Sequence, residues 1–251
     1  MIRTLLPLLL VSVALLLDTA GAVAQATHVP GVDGKRLRLG IDSMAVYLVQ
    51  GRDSVPTGML WDELRVVDEN GSAVLQRVYR SQDQVMGVRV DTLVDQYSSL
   101  LALRHRSRSS RSQEFLDFTS GRVRGWVRLA NGDSSDVDVA IPPSVHNGNS
   151  FDLILRAAPL ATGWSTEVPS FLASTRSIVP LRARVVGREV IDGESCWRVD
   201  ADFGGTAVSF WIHEQSRDLW QQVMHLGPDL QVLFRRPGTT KRPATPRQAA
   251  G

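Results

Sequence analysis

The sequence carries a single cysteine, Cys196. No intramolecular disulfide can form, so the fold must rest on its apolar core. There is no Cys-x-x-Cys pair. None of the five histidines, His28, His105, His146, His213 and His225, has another three to five residues away. That removes the usual zinc spacings, and no metal or other cofactor is expected. Gly-x-Ser-x-Gly, the phosphate-binding glycine loops and His-Glu-x-x-His are missing too, so no catalytic residue is expected. The formal net charge is only +2, which gives no ground for a nucleic-acid partner. Beyond the N-terminus no run is apolar enough over about 20 residues to span a bilayer.

What is present begins with a leader. Arg3 precedes an apolar stretch from Leu5 to Leu17, and small residues follow at Ala20, Gly21, Ala22, Ala24 and Ala26. Ala22-Val23-Ala24 and Ala24-Gln25-Ala26 both fit a small-x-small cleavage pattern. Residues 1–26 therefore read as a secretory signal peptide, with cleavage after Ala24 or Ala26. No cysteine stands there to be lipid-modified. The mature chain is expected to be a soluble periplasmic or extracellular protein. Residues 27–36, rich in Gly, Pro and charge, read as a flexible lead-in, and 37–236 as one β domain. Residues 237–251, with no large apolar side chain, read as a disordered basic tail.

Between the ends the dominant period is two. Val123, Gly125, Val127 and Leu129 alternate with Arg122, Arg124, Trp126 and Arg128. Leu181, Ala183 and Val185 alternate with Arg182 and Arg184, and Trp197, Val199, Ala201 and Phe203 with Arg198, Asp200 and Asp202. Alternation of this kind places one set on a buried face and the other in water. Asn70-Gly71, Asn131-Gly132, Asp192-Gly193 and Gly204-Gly205 supply the positive φ values of tight hairpins. The expected fold is mainly β: a single large antiparallel meander sheet curled into a half-open barrel. Leu93–Leu103 reads as a long strand or one to two helical turns. Residues 147–158 cluster Phe151, Leu153, Ile154 and Leu155 ahead of Pro159, which predicts a short helix there.

Candidate chemistry is sparse. Cys196 shares a strand face with Arg198, which would lower its pKa and make it a nucleophile, but no base is near in sequence. His213-Glu214 closes a strand and reads as a surface turn. Asp133, Asp136 and Asp138 look like a calcium loop, yet two of them keep strand alternation, so a solvated face is the expectation. The most unusual feature is Arg104-His105-Arg106-Ser107-Arg108. In a strand, Arg104, Arg106 and Arg108 point one way, and Arg122 and Arg124 repeat the row two strands on. Such a row suits a carboxylate or phosphate; the competing reading is an exposed face kept soluble by Arg. Trp126 and Trp211 stand on the opposite phase from their strands' aliphatic residues, as either a ligand-binding concave aromatic face or a second face covered by the helix would require. These seven residues, Arg104, Arg106, Arg108, Arg122, Arg124, Trp126 and Trp211, are the candidate ligand contacts.

The segment Gly187–Arg236, with Asp192-Gly193, Cys196-Trp197-Arg198-Val199, Gly204-Gly205 and Phe210-Trp211-Ile212-His213, resembles the C-terminal meander of a periplasmic β-protein family of unknown function. The Arg-rich strand, Phe115 to Phe118 and Gly121-Arg122-Val123-Arg124-Gly125 are similar to the same family. That family in turn resembles the half-barrel carriers of the lipoprotein-sorting (Lol) group. The resemblance, spanning Leu37 to Arg236, implies an antiparallel sheet curled around a short helix with an apolar concavity, and no catalytic residues.

Together these features lead to a non-enzymatic exported protein that binds a lipid or acylated molecule in a curved sheet, with the arginine row meeting an anionic head. The alternatives are an envelope interaction module without a small ligand, and a hydrolase using Cys196 or His213.

Overall fold

A computed structural model describes residues 29–84, 87–119 and 121–237. The proposed leader, and the proposed basic tail from residue 238 on, lie outside them. The first wing of the sheet is β1 (Gly40–Gln50), β2 (Asp53–Glu69), β3 (Ser72–Asp83), β4 (Gly87–Gln96), β5 (Ala102–Ser109), β6 (Ser112–Thr119), β7 (Arg122–Leu129) and β8 (Ser134–Ala140). A two-residue β9 (His146–Asn147) and one helix, α1 (Phe151–Ala157), follow. The second wing is β10 (Ser165–Leu172), β11 (Ser177–Ile191), β12 (Glu194–Phe203), β13 (Thr206–His213), β14 (Leu219–His225) and β15 (Leu230–Arg235).

All fifteen strands join one sheet, ordered β8-β7-β6-β5-β4-β3-β2-β1-β15-β14-β13-β12-β11-β10-β9. Each wing is an antiparallel meander, and the wings meet where β1 pairs with β15. The pairing of β9 with β10 is parallel, which makes the sheet mixed. The edges β8 and β9 do not pair, so the curl stays open. At Asn70-Gly71 and Asp192-Gly193 both central residues have positive φ, the geometry two-residue hairpins need to match strand twist.

The segment Leu93–Leu103 resolves as neither a single strand nor a helix. β4 ends at Gln96, the chain turns through Leu100 at φ 56, and β5 begins at Ala102. The lead-in is packed rather than loose from Val29 onward. Val29 and Val32 enter the core, because the Arg36 guanidinium ties this segment to the carbonyl of Ala157 at 3.3 Å.

The helix has two turns, too short to persist alone. It forms because Phe151, Leu153, Ile154 and Leu155 are fully buried in the hollow of the sheet, each contributing about 1.5–3 kcal/mol by leaving water. Both wings send side chains to this core: Met44, Val46, Leu60 and Leu64 from one, Val199, Phe210, Ile212 and Phe234 from the other. The helix side is the inner face. A second cluster draws the sheet's ends together, with Phe118 of β6 edge-to-face on Phe171 of β10 at 5.6 Å.

Candidate functional site: an inner cavity with one polar and one apolar wall

The inner phase of β2, β3 and β4 is not purely apolar. Asp62 stands between Leu60 and Leu64, Arg77 follows Leu75, and Asp91 and Asp95 flank Leu93. All four charged groups are buried. The helix adds Asp152 and Arg156 one turn apart, both buried.

Arg77 is the hub. Its Nε and Nη2 donate to the two oxygens of Asp62 at 2.7 and 2.9 Å. Its Nη1 and Nη2 donate to the two oxygens of Asp152 at 2.7 and 3.0 Å. A further Nη1 bond reaches the Asn149 carbonyl at 3.1 Å, so all five N–H donors are engaged. Burial alone would lower the Arg77 pKa, but the charges of Asp152 and Asp62 outweigh it and raise it well above its usual value. Arg156 completes a neutral quartet, with Nη1 3.8 Å from Asp62 and 3.9 Å from Asp152.

A second group lies one strand on. Arg89 grips Asp91 through Nε at 2.7 Å and Nη2 at 3.0 Å, and His105 Nε2 stands 3.3 Å from the same carboxylate. Burial pushes the Asp91 carboxyl up, but these hydrogen bonds and the Arg89 charge win and hold it at about 2. Asp95 has only the Ser150 hydroxyl on one oxygen, at 2.7 Å, and no partner on the other. Burial pushes it up to about 7.

The quartet and the Arg89–Asp91 pair form one wall of a cavity of about 270 Å³. Its polar side includes Asp62, Arg77, Arg89, Asp91, Asp152 and Arg156, with Tyr79 and Ser81 among them. Register explains the patch: Tyr79 pairs with Asp91 and Ser81 with Arg89 across β3 and β4. The facing side is mostly apolar, with Met44, Leu60, Phe203, Phe210, Met224 and Phe234, and Gln222 among them. Ser81 is 2% exposed, and its hydroxyl has no hydrogen-bond partner. The Tyr79 phenol is pushed above its usual range by burial.

None of the seven residues proposed from sequence lines this cavity. The five arginines and Trp126 lie together on the outer face, and all but Arg108 meet partners on other strands. Arg104 binds Glu69, and Arg106 binds Asp117 at 2.5 Å. Asp138 takes Arg122 at 2.5 Å and Arg124 at 3.5 Å, while Arg108 is exposed. Phe115 stacks on Trp126 with centroids 5.7 Å apart, and the Arg106 guanidinium lies over Phe115. Trp211 is also on the outer face, 8% exposed beside Cys196 and Val223, and its Nε1 donates to Glu189 at 2.7 Å.

The nucleophile candidates are not poised. Arg198 is turned to Glu189 and Asp200, not to Cys196. Burial, with Glu194 and Asp192 nearby, pushes that thiol up to about 11, opposite to the lowering expected from sequence. His213 does meet a hydroxyl, Ser216, at 3.0 Å, and Glu194 at 3.3 Å. Yet its Nδ1 also accepts the Ser216 backbone N–H at 3.0 Å, and the Ser216 hydroxyl donates to Asp218 at 2.9 Å. This is a turn lock rather than a base facing a nucleophile. No cluster of three or more His, Cys, Asp or Glu fit for a metal exists among the described residues.

Sequence reading missed the inner groups because it sought charge on the solvated phase. The available signal was charge on the apolar phase: Asp62 between two leucines and Arg77 after Leu75.

A family model described as "Protein of unknown function (DUF3108)" matches residues 61–231. No curated protein matches the chain in sequence. Among solved structures, one similar chain is the β-barrel-like DUF1849 protein of Brucella abortus. It is 12% identical, with a TM-score of 0.46, over 80% of this chain and 97% of the other. Another is a candidate lipoprotein from Parabacteroides distasonis, 7% identical with a TM-score of 0.34, over 81% and 96%. Among the described residues no helix is long and apolar enough to cross a membrane.

Proposed function

We propose, from the premise that the chain belongs to the DUF3108 family of proteins of unknown function, that it is a non-enzymatic exported protein that binds a small single-chain amphiphile inside its curved sheet. The observation that carries this reading is the cavity: about 270 Å³, with phenylalanines and methionines on one side and buried hydrogen-bonding groups on the other. That volume lies between the roughly 150 Å³ that admits benzene and the 300–1,000 Å³ of common ligand sites. It suits one medium-length chain better than a two-chain lipid. The leader-like residues 1–26 support an exported location.

The ligand reading of the arginine rows moves accordingly. The outer guanidiniums of Arg104, Arg106 and Arg122 are already paired with carboxylates and have less to offer an anion, whereas Asp62, Arg77, Asp152 and Arg156 of the inner wall are buried.

Native mass spectrometry of the purified chain with a panel of medium-chain alcohols, acids and monoglycerides tests the reading. One ligand per chain is expected, lost in Met224→Trp, which fills the apolar side. A chain that carries and gains nothing from the panel overturns it.

A further inference from the structure

The cavity's electrostatics select the ligand's headgroup, and this step rests on the amphiphile reading above. The lining holds Arg77, Arg89 and Arg156 against Asp42, Asp62, Asp91 and Asp152, and Asp42 is itself paired with Arg236. Arg77 has no donor left, since Asp62, Asp152 and the Asn149 carbonyl take all five. Arg156 faces the same two carboxylates. Arg89 is held side-on by Asp91, with only Nη1 outside that grip. A carboxylate or phosphate brought here would find cations already neutralised and Asp62, Asp91 and Asp152 nearby. A buried charge without a counter-charge is strongly disfavoured.

What the wall does offer is a hydrogen-bonding vacancy. The Ser81 hydroxyl is buried, lines the cavity and has no partner. Most buried polar groups in proteins are paired, so an orphan hydroxyl in a cavity wall is open to a hydrogen bond from a molecule inside the cavity. Its register neighbour is Arg89, whose Nη1 is the one nitrogen of that group not bound to Asp91. A hydroxyl can accept as well as donate, so Ser81 with Arg89 can hold an oxygen that is itself uncharged.

We infer that the cavity takes an amphiphile with an uncharged oxygen headgroup, an alcohol or ester, read by Ser81 and Arg89, and discriminates against ionised acids. The chain lies along Phe203, Phe210 and Phe234.

Titration calorimetry with octanol and octanoate at about pH 8, where the acid is ionised, is the test, on the wild-type chain and on Ser81→Ala. Octanol should bind at least about tenfold tighter, the ratio expected for one good hydrogen bond without a desolvated charge. Ser81→Ala should weaken octanol about five- to tenfold and leave octanoate unchanged. A bare preference for the less hydrated headgroup would be blind to Ser81, so the serine dependence is required. Octanoate binding as tightly as octanol, or octanol binding that ignores Ser81→Ala, overturns the headgroup assignment and leaves the cavity reading standing. Binding of neither probe overturns both.

Discussion

Arg77 on β3 and Asp152 in the first turn of α1 are 75 residues apart in the chain and joined by two hydrogen bonds of 2.7 and 3.0 Å. Through this pair the sheet holds the helix at a fixed angle, and the helix closes one side of the cavity. Removing one partner leaves a charge buried and unpaired. Arg77→Met should cost about 3–5 kcal/mol in denaturant unfolding. Adding Asp152→Leu, which leaves Asp62 to pair with Arg156, should recover part of that loss. A single-substitution cost under about 1 kcal/mol would mean the quartet is solvated and not a clamp.

The buried Asp95 makes stability depend on pH with a definite sign. Its folded-state pKa, about 7, is raised from an ordinary 3.8. Between roughly pH 4 and 7 the folded chain therefore holds a proton the unfolded chain has lost. Stability from this group falls as pH rises, by about 1.4 kcal/mol per unit, and levels off above pH 7. Asp91 runs the other way, depressed to about 2, so its contribution is lost as pH falls from about 4 towards 2. Unfolding curves of the wild type and Asp95→Asn across pH 4–7 separate the two. The substitution should abolish the descending slope; parallel curves would contradict the assignment.

Ser81→Ala should be neutral or stabilising by up to about 1 kcal/mol, because it deletes a buried hydroxyl that bonds to nothing. Thermal unfolding without ligand measures it. A clear loss of stability would mean the hydroxyl has a structural partner.

Gly125 faces Leu116 in the ladder, and a Cβ there would lie 1.8 Å from the Phe115 carbonyl oxygen. Gly125→Ala must push β6 away from β7 and should cost at least about 1–3 kcal/mol, read as a drop in the unfolding midpoint. An unchanged midpoint would show that the two strands part freely.

Cys196 should ignore thiol reagents in the folded chain at neutral pH, since it is buried and its thiol is raised to about 11. It should react fully once the chain is unfolded in guanidinium. Rapid native labelling would reopen the nucleophile reading.

The strand phases were legible because burial on one face imposes a period of two, and the hairpins because Asn-Gly and Asp-Gly tolerate positive φ. The helix at Phe151–Ala157 was legible from its apolar cluster and the proline behind it. The turn at Leu100 was not, because a leucine with positive φ carries no turn signature and is held by its surroundings. Arg104, Arg106 and Arg108 share one face of β5, but their alternation could not say which face of the sheet that is.

By itself, then, the sequence determined alternation, punctuation and the place of the helix, all local properties of neighbouring residues. Only the tertiary structure decided what each face meets. Which face is inner depends on how two wings, joined at β1 and β15, curl around α1. That curl takes Trp126 and the arginines outside, and brings Arg77, Asp62 and Asp152, distant in the chain, into contact. Long-range pairing of buried charges leaves no periodic trace, so the cavity and its polar wall became visible only in three dimensions.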